Sequence, residues 1–482
     1  MLSYSILKRL NKEIKLLVRY KNPPDHWSVL RKKIHPVDKA LNHFDDFYKQ
    51  VFDKQWLTIR KGLLGTQKYV AIINNYGDSE EAMRKLELGG AINMRTLFNL
   101  EKGYIQEKLE KRMQKSRLQQ IFDVDEMIEK VVENNTKNEI TNAEVHKKQF
   151  SLDSSLQNAE YDTRRLVDSK NALSAEILYE FVPATKIKGK EDFIPESSHY
   201  KLYDNESQFA VSIEKEYDVH FPEFLNIYCY EAESKNDFES PKKGSTGVLN
   251  YYLMDGGSVL PVLALDLEPG SKMLDMCAAP GGKSLLALQT LYPDCIVSND
   301  ISYSRLNRIE NVYKQFLYDF KEKWLSTEHI KLTNRDGRII VEDNFDRILV
   351  DVPCTTDRHS LHENDNNIFK PSRIKERLQI PELQRQLLFN ALKLVKKGGI
   401  VVYSTCSLSP IQNDGVVHMA LKQIWEETNM EIVVKDLTPA LQQTTNVFKM
   451  ADKKLLKYGH LVLPNLAQNY GPTYFCKLQK IK

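Results

Sequence analysis

Cys354 and Cys406 each follow an apolar run, in Ile348-Leu349-Val350-Asp351-Val352-Pro353-Cys354 and in Ile400-Val401-Val402-Tyr403-Ser404-Thr405-Cys406-Ser407. Short β-branched runs closed by turn-forming residues read as strands, so both thiols sit at strand ends. A cysteine there is a potential nucleophile, but a free thiol with a pKa of about 8.5 needs a cation or a helix N-terminus beside it to ionise at neutral pH. Ser409-Pro410 reads as the N-cap and first residue of a helix after Cys406, which would be one such source. Asp351 can bond a ring nitrogen and steady the charge that develops when a thiol adds to the ring. A single cysteine is most often inert and buried. Two at adjacent strand ends suit covalent chemistry, with either thiol able to attack.

Upstream of both lies Asp275-Met276-Cys277-Ala278-Ala279-Pro280-Gly281-Gly282-Lys283, a strand-to-helix turn of small residues. Its glycines let the backbone approach a ligand, and the helix that follows offers unpaired N–H groups. A nucleoside-triphosphate loop of the form GxxxxGK[ST] needs glycine at the position held by Cys277, and the GxGxxG dinucleotide spacing is absent as well. Asp300 ends the next strand, about 20 positions beyond the loop, where an acid can accept from both hydroxyls of a ribose. Asp336, after a third strand, is placed to accept from an adenine amino group. Taken singly, either acid could be a turn or cap residue; with the loop they favour a nucleoside-containing cofactor.

Such a cofactor loop followed by two strand-end thiols suits covalent attack on a pyrimidine and methylation of the activated ring. Cytosine C5 becomes nucleophilic when a thiolate adds at C6. The competing arrangement, (Asn/Asp)-Pro-Pro-(Tyr/Phe), serves exocyclic amines, whereas this chain has Asp351-Val352-Pro353-Cys354. A carbon target is therefore favoured over a nitrogen target.

The elements that must hold these groups can be read in outline. After Gly247 to Leu265, a packed approach to the loop, strands alternate with helices: Met273 to Met276, Cys295 to Ser298, a helix from about Ser304 to Phe320, and the two thiol-bearing strands. Between those two strands lies a helix from about Pro381 to Val395, opened by its proline and stopped by Gly398-Gly399. The alternation predicts an α/β fold with a doubly wound, mainly parallel sheet. Upstream, Phe44, Tyr48, Phe52, Trp56, Ile59 and Leu63 recur every three or four residues, which predicts a small helical N-terminal layer. Boundaries fall at 1–24 for a candidate transit peptide, 36–106 for the helical region, 107–214 for a charged, partly disordered insertion, and 215–482 for the α/β domain. The first segment carries Lys8, Arg9, Lys12, Lys15, Arg19 and Lys21 against Glu13, with Leu2, Ile6, Leu10, Ile14 and Leu17 on one helical face. Mitochondrial targeting is the sharper reading and an ordinary surface helix the plainer one.

Composition sets limits. With 68 basic and 65 acidic residues the net charge is +3, so any nucleic-acid footprint is a local patch. Lys370, Arg373, Lys375 and Arg377 form one such cluster, which could hold phosphates or be a solvated helix face. The 6 cysteines include no CxxC pair, which argues against a zinc site or disulfide framework. No apolar stretch reaches the roughly 20 residues of a membrane span. RNA-recognition, KH and zinc-ribbon signatures are absent.

In Asp275 to Lys283, Asp351 to Cys354 and Ser404 to Ser407, in that order, the chain resembles the Fmu/Sun-domain RNA cytosine-5 methyltransferases. The resemblance implies a Rossmann-like methyltransferase fold using S-adenosylmethionine. It implies Cys406 as nucleophile, Cys354 as the second thiol and Asp351 as the acid at N3. It also implies that Cys277, Ala278, Ala279, Pro280, Gly281, Gly282, Lys283, Asp300, Arg305, Asp336 and Asp351 surround the cofactor. Further likeness, in Tyr251 to Asp255, Cys354 to His362, Asn367 to Lys370, Pro464 to Leu466 and Gly471-Pro472, is to the branch acting on mitochondrial small-subunit ribosomal RNA. That branch implies a mitochondrial matrix location, a partner of the mitochondrial transcription-termination-factor family, contact with the small and large subunits of the mitochondrial ribosome, and a part in ribosome assembly. A transfer-RNA substrate, or a scaffold whose catalysis is secondary, is the alternative. The stretch 107–214 departs from the family pattern.

Overall fold

The computed structural model describes residues 35–108, 110–111, 211–342 and 344–482. The expected presequence at 1–24 lies outside the described residues, as does 112–210, the greater part of the expected insertion.

The N-terminal region comprises α1 (Pro36–Phe52), α2 (Trp56–Leu64), β1 (Tyr69–Ile73), α3 (Ser79–Leu88) and β2 (Ile92–Asn93). After 210 come β3 (Ser212–Lys215), β4 (Ile227–Cys229), β5 (Tyr251–Asp255), α4 (Val259–Ala264), β6 (Ser271–Asp275), α5 (Gly282–Leu288), β7 (Pro293–Asn299) and α6 (Tyr303–Phe316). The remainder is β8 (Ile330–Thr333), β9 (Phe345–Asp351), α7 (Asp357–His362), α8 (Ile374–Leu394), β10 (Val395–Thr405), α9 (Val416–Glu427), β11 (Ile432–Asp436), β12 (His460–Val462) and β13 (Thr473–Lys480).

The large sheet runs β3-β11-β13-β10-β9-β6-β7-β8, with β12 on β13. From β10 to β8 every neighbour is parallel, whereas β13 is antiparallel to both β10 and β11. This is the doubly wound, mainly parallel α/β architecture. From β6 the chain steps outward to β7 and β8, then crosses back to β9 on the other side. The carboxyl end of β6 is therefore the switch point, where such sheets bind ligands.

Side chains alternate across a strand, so a sheet covered on both faces needs apolar residues at successive positions. Leu274, Val297, Ile348, Val350, Val401 and Tyr403 face one core, shared with α1, α2, α8 and α9. Their neighbours Met273, Ile296, Leu349, Ile400 and Val402 face the other, shared with α4, α5 and α6. The helical periodicity at the N-terminus has the same cause: Phe44, Tyr48, Phe52, Trp56, Ile59 and Leu63 are all buried against the first core. Each such burial stabilises by roughly 1.5–3 kcal/mol.

Several boundaries differ from the sequence reading. The region 36–106 is not wholly helical: β1 and β2 join β4 and β5 in a second, antiparallel sheet of order β2-β4-β1-β5. Pairing with strands more than 130 residues away along the chain decides this, and local periodicity cannot show it. β3 starts three residues before the expected border at 215 and pairs in parallel with β11. The helix expected to reach Phe320 ends at Phe316, followed by a π-helical turn at Phe320–Leu325. α8 opens at Ile374, not at Pro381, which lies inside it. The hydrogen bond lost at a proline is offset there by burial of Ile380, Leu387 and Leu388.

Nor do Gly398 and Gly399 stop that helix. They lie within β10, where the pairing with β9 shifts register between Val395 and Ile400. Gly398 takes φ +81°, and a Cβ on Gly399 would lie 2.6 Å from Val395 Cγ2 and 2.7 Å from the Asp346 carbonyl. Gly399→Ala is expected to lose about 1–3 kcal/mol, read as a lower urea midpoint at unchanged slope.

Candidate active site

β9 ends at Asp351 and β10 at Thr405, side by side, with Ser404 opposite Asp351. The loops that leave them carry the two cysteines, whose Sγ atoms are 2.8 Å apart. Both thiols are free; Cys354 is buried and Cys406 opens to solvent. Cys354 Sγ also accepts the backbone N–H groups of Thr356, at 3.4 Å, and of Cys406, at 3.3 Å.

The hydrogen bond to Cys354 holds the Cys406 thiol well above its ordinary pKa, helped by desolvation and by the negative potential of Cys354 and Asp351; Lys283 acts in the opposite sense. The helix expected to ease ionisation starts differently. Pro410, not Ser409, is its N-cap, no side chain caps it, and its first turn, Ile411–Gly415, is π-helical. The nearby cation is Lys283, whose Nζ donates to Asp351 Oδ2 at 2.7 Å. Burial alone would lower the lysine's pKa, but Asp351 outweighs it and the net shift is upward. Asp351 Oδ1 accepts from Ser404 Oγ at 2.8 Å, so both carboxylate oxygens are engaged.

The scaffold of this pair went unseen in the sequence. Asp357, fully buried, accepts from Tyr48 Oη of α1 at 2.7 Å, Leu408 N at 2.7 Å, Thr355 Oγ1 at 2.5 Å and Ser407 Oγ at 3.1 Å. Gln412 accepts from Thr355 N at 3.1 Å, and Gln384 of α8 donates to the Pro353 carbonyl at 2.8 Å. Arg358 points away from the cleft and donates to the carbonyls of Gly62, Gly65 and Gly471. Buried glutamines and aspartates at element ends were the only signal available, and they look like surface residues until the partners are known.

On the cofactor side, the Asp275–Lys283 turn contains a cis Ala279–Pro280 peptide and is closed by Gly281 at φ +109°. A Cβ on Gly282 would lie 2.9 Å from the Tyr252 ring and one on Gly281 3.4 Å from Ile309, so the two glycines let the turn pack closely against β5 and α6. Burial drives the pKa of the Cys277 thiol far up. Burial, reinforced by Asp351 and Asp300, raises Asp275 to about 7, against the pull of the Ser284 hydroxyl.

Asp300 is 2% exposed, and its Oδ1 accepts Ser302 N at 2.9 Å. Its Oδ2 accepts no hydrogen bond among the described residues and has the Arg305 guanidinium at 3.3 Å. Arg305 reaches back to the Ala279 carbonyl at 3.3 Å. Asn299, also missed, ties the ends of three strands together: it donates to the Met276 and Arg335 carbonyls and accepts from Thr333 Oγ1 and Arg335 N. Asp336 caps the short 3-10 turn Gly337–Ile339 and holds the Arg338 guanidinium at 2.6 Å, so its carboxylate is occupied.

A cleft of about 1390 Å³ joins the two halves, lined by Ala279 and Pro280 on one side and by Asp351, Cys354 and Cys406 on the other. Arg308, Arg338, Arg373 and Lys375 give it a basic rim. Within the cluster expected to meet phosphates, Arg373 is paired with Glu376 at 2.6 Å and Arg377 stacks 4.5 Å over Phe369. Lys370 caps the turn Pro371–Arg373.

A protein-family model described as 16S rRNA methyltransferase RsmB/F matches residues 262–460. The Xenopus tropicalis protein named 5-cytosine rRNA methyltransferase NSUN4 is 33% identical over 481 residues, covering 99% of this chain and 98% of that one. The chain belongs to the RNA cytosine-5 methyltransferase family. The mouse protein of the same name is 43% identical over 296 residues, 60% of this chain and 75% of its own. The mouse protein named tRNA (cytosine(34)-C(5))-methyltransferase, mitochondrial, is 33% identical over 264 residues, 54% of this chain and 72% of its own.

As an RNA cytosine-5 methyltransferase the protein uses S-adenosylmethionine, and the residues fit that group. Ala279 and Pro280 of the turn line the cleft, and the buried Asp300 Oδ2, which accepts no hydrogen bond among the described residues, suits a ribose hydroxyl. No helix among the described residues of this methyltransferase is long and apolar enough to cross a membrane.

Proposed function

We propose that this methyltransferase modifies C5 of a cytosine in mitochondrial small-subunit ribosomal RNA through a covalent adduct at Cys406. The observation that carries the covalent reading is the pair of thiols 2.8 Å apart in the cleft shared with the cofactor loop. The ribosomal substrate is supported by the rRNA relative that covers nearly the whole chain. The mitochondrial setting, in the matrix, is supported by the basic amphipathic segment 1–24 and by the name of the tRNA relative.

When bound, S-adenosylmethionine supplies the electrophilic methyl group. The 277–283 backbone, with Asp300 and Arg305, would hold it; Asp336 would contribute only if Arg338 yields. Cys406, as thiolate, would form a bond to C6, and the electron pair displaced toward N3 would take a proton passed from the Lys283 ammonium through Asp351, 2.7 Å away. C5, now electron-rich, would accept the methyl group with S-adenosylhomocysteine as the leaving group, and the N3 proton would return through Asp351 to Lys283. The C5 proton then leaves to a base, Cys354 being the nearest to Cys406, as the C6–S bond breaks and the Cys406 thiolate is restored. Arg308 and Lys375 on the rim suit the flanking phosphates.

A partner of the mitochondrial transcription-termination-factor family would supply RNA affinity beyond that of the basic rim of the cleft. A role in mitochondrial ribosome assembly, in contact with the small and large subunits, goes with that partnership. The identity to a tRNA methyltransferase keeps a transfer-RNA substrate as the second reading. Bisulfite sequencing of mitochondrial RNA after loss of the protein separates them. One protected small-subunit rRNA cytosine should become convertible, and loss confined to transfer RNA would reject the ribosomal substrate.

A further inference from the structure

Asp357 is not among the residues that face the cleft, yet it bonds both loops that carry the two thiols. It opens α7 directly after the Cys354 loop, and its own N–H donates to the Cys406 carbonyl at 3.3 Å. Its Oδ1 accepts the hydroxyls of Thr355, one residue from Cys354, and Ser407, one residue from Cys406. Its Oδ2 accepts Leu408 N, two residues past Cys406, and the hydroxyl of Tyr48, from a helix more than 300 positions earlier. The carboxyl is fully buried, and burial raises its pKa against the pull of these four donors. A charge-bearing group is kept in such a place at a cost in desolvation. The loops could have been closed by apolar packing alone, so the acceptor geometry is what the site gains.

We propose that Asp357 is a positioning residue, clamping the Cys354 and Cys406 loops at reacting distance, and that α1, through Tyr48, is part of the catalytic unit. This rests on the reading of Cys406 and Cys354 as the working thiols. The requirement is for two acceptor atoms in fixed places. Asparagine can meet it in part: its oxygen serves Leu408 N and Tyr48, while its amide donates to the Thr355 and Ser407 hydroxyls once these rotate. Alanine removes the acceptor these four donors share; the Thr355 and Ser407 hydroxyls can turn to each other, 2.9 Å apart, but the Leu408 N–H cannot rotate.

The test uses the full chain and two readouts. One is steady-state kinetics. The other is the rate at which the mild oxidant diamide joins Cys354 to Cys406, followed by peptide mass spectrometry, which gauges thiol spacing without any RNA. Asp357→Ala should lower kcat by about 10- to 100-fold, the scale of a misplaced reacting group, with little change in the KM for S-adenosylmethionine. It should slow thiol joining to a similar degree, and Asp357→Asn should recover most of both. Tyr48→Phe deletes the hydroxyl that hooks α1 to Asp357 and should give a smaller fall in the same two quantities, covering the case in which the alanine variant does not fold. Unchanged joining rate and kcat in Tyr48→Phe and in soluble Asp357→Ala would overturn the proposal, as would failure of Asp357→Asn to recover either. If the enzyme's RNA target were misread, joining would still respond to Asp357 while methylation of the assumed RNA would be absent in the wild type.

Discussion

Cys406→Ala should abolish methylation, lowering turnover by about 10⁴-fold or more, the scale reached when a covalent nucleophile is deleted. Binding of S-adenosylmethionine should be retained, because the 277–283 turn and Asp300 are built from other strand ends. Cys354→Ala should behave differently: attack proceeds, release stalls, and a protein–RNA adduct accumulates that survives denaturing electrophoresis. The pH dependence separates the thiols further. The hydrogen bond to Cys354 is the main cause of the high Cys406 pKa, so removing it lets Cys406 ionise at lower pH. Adduct formation by Cys354→Ala should therefore begin at a lower pH than thiol alkylation of Cys406 in the wild type. A fully active Cys406→Ala enzyme would exclude Cys406 as nucleophile, and adduct accumulation in Cys406→Ala would exchange the two roles.

Asp300→Ala should weaken S-adenosylmethionine binding by about 10- to 150-fold, the equivalent of one lost hydrogen bond to a charged acceptor, about 1.5–3 kcal/mol. The buried Oδ2, without a hydrogen bond among the described residues, is the acceptor at stake. Its removal also leaves Arg305 without its carboxylate, at 3.3 Å in this structure. Isothermal titration with cofactor alone reads the effect without RNA. Arg338→Ala provides a contrast: by freeing the Asp336 carboxylate it should leave cofactor affinity unchanged or improve it slightly. Equal affinity of wild type and Asp300→Ala would remove Asp300 from the cofactor site.

The alternation of strand and helix from Met273 onward was legible because both faces of a parallel sheet must be apolar, and local runs carry that information. So was the N-terminal layer, whose aromatic periodicity has one buried face as its cause. β1 and β2 were not legible, since their partners β4 and β5 lie far along the chain. Pro381 and Gly398-Gly399 misled for a related reason: each is ordinary punctuation locally, and a buried helix face and a strand bulge override it. Around the thiols the motif residues stood out by type, while Asp357, Gln384, Gln412 and Asn299 did not. An acceptor that joins three loops has no distinctive spacing, because its donors come from separate parts of the chain.

The place of β13 in the sheet bears on how the protein is made. This strand lies between β10 and β11, so β10, which delivers Cys406, has a bare edge until residues 473–480 join the sheet. An unpaired apolar strand in the middle of a half-formed sheet is a template for wrong pairing. Removal of residues 473–480 should therefore cost solubility, because it leaves a complete cofactor turn beside a thiol-bearing strand with nothing to close it.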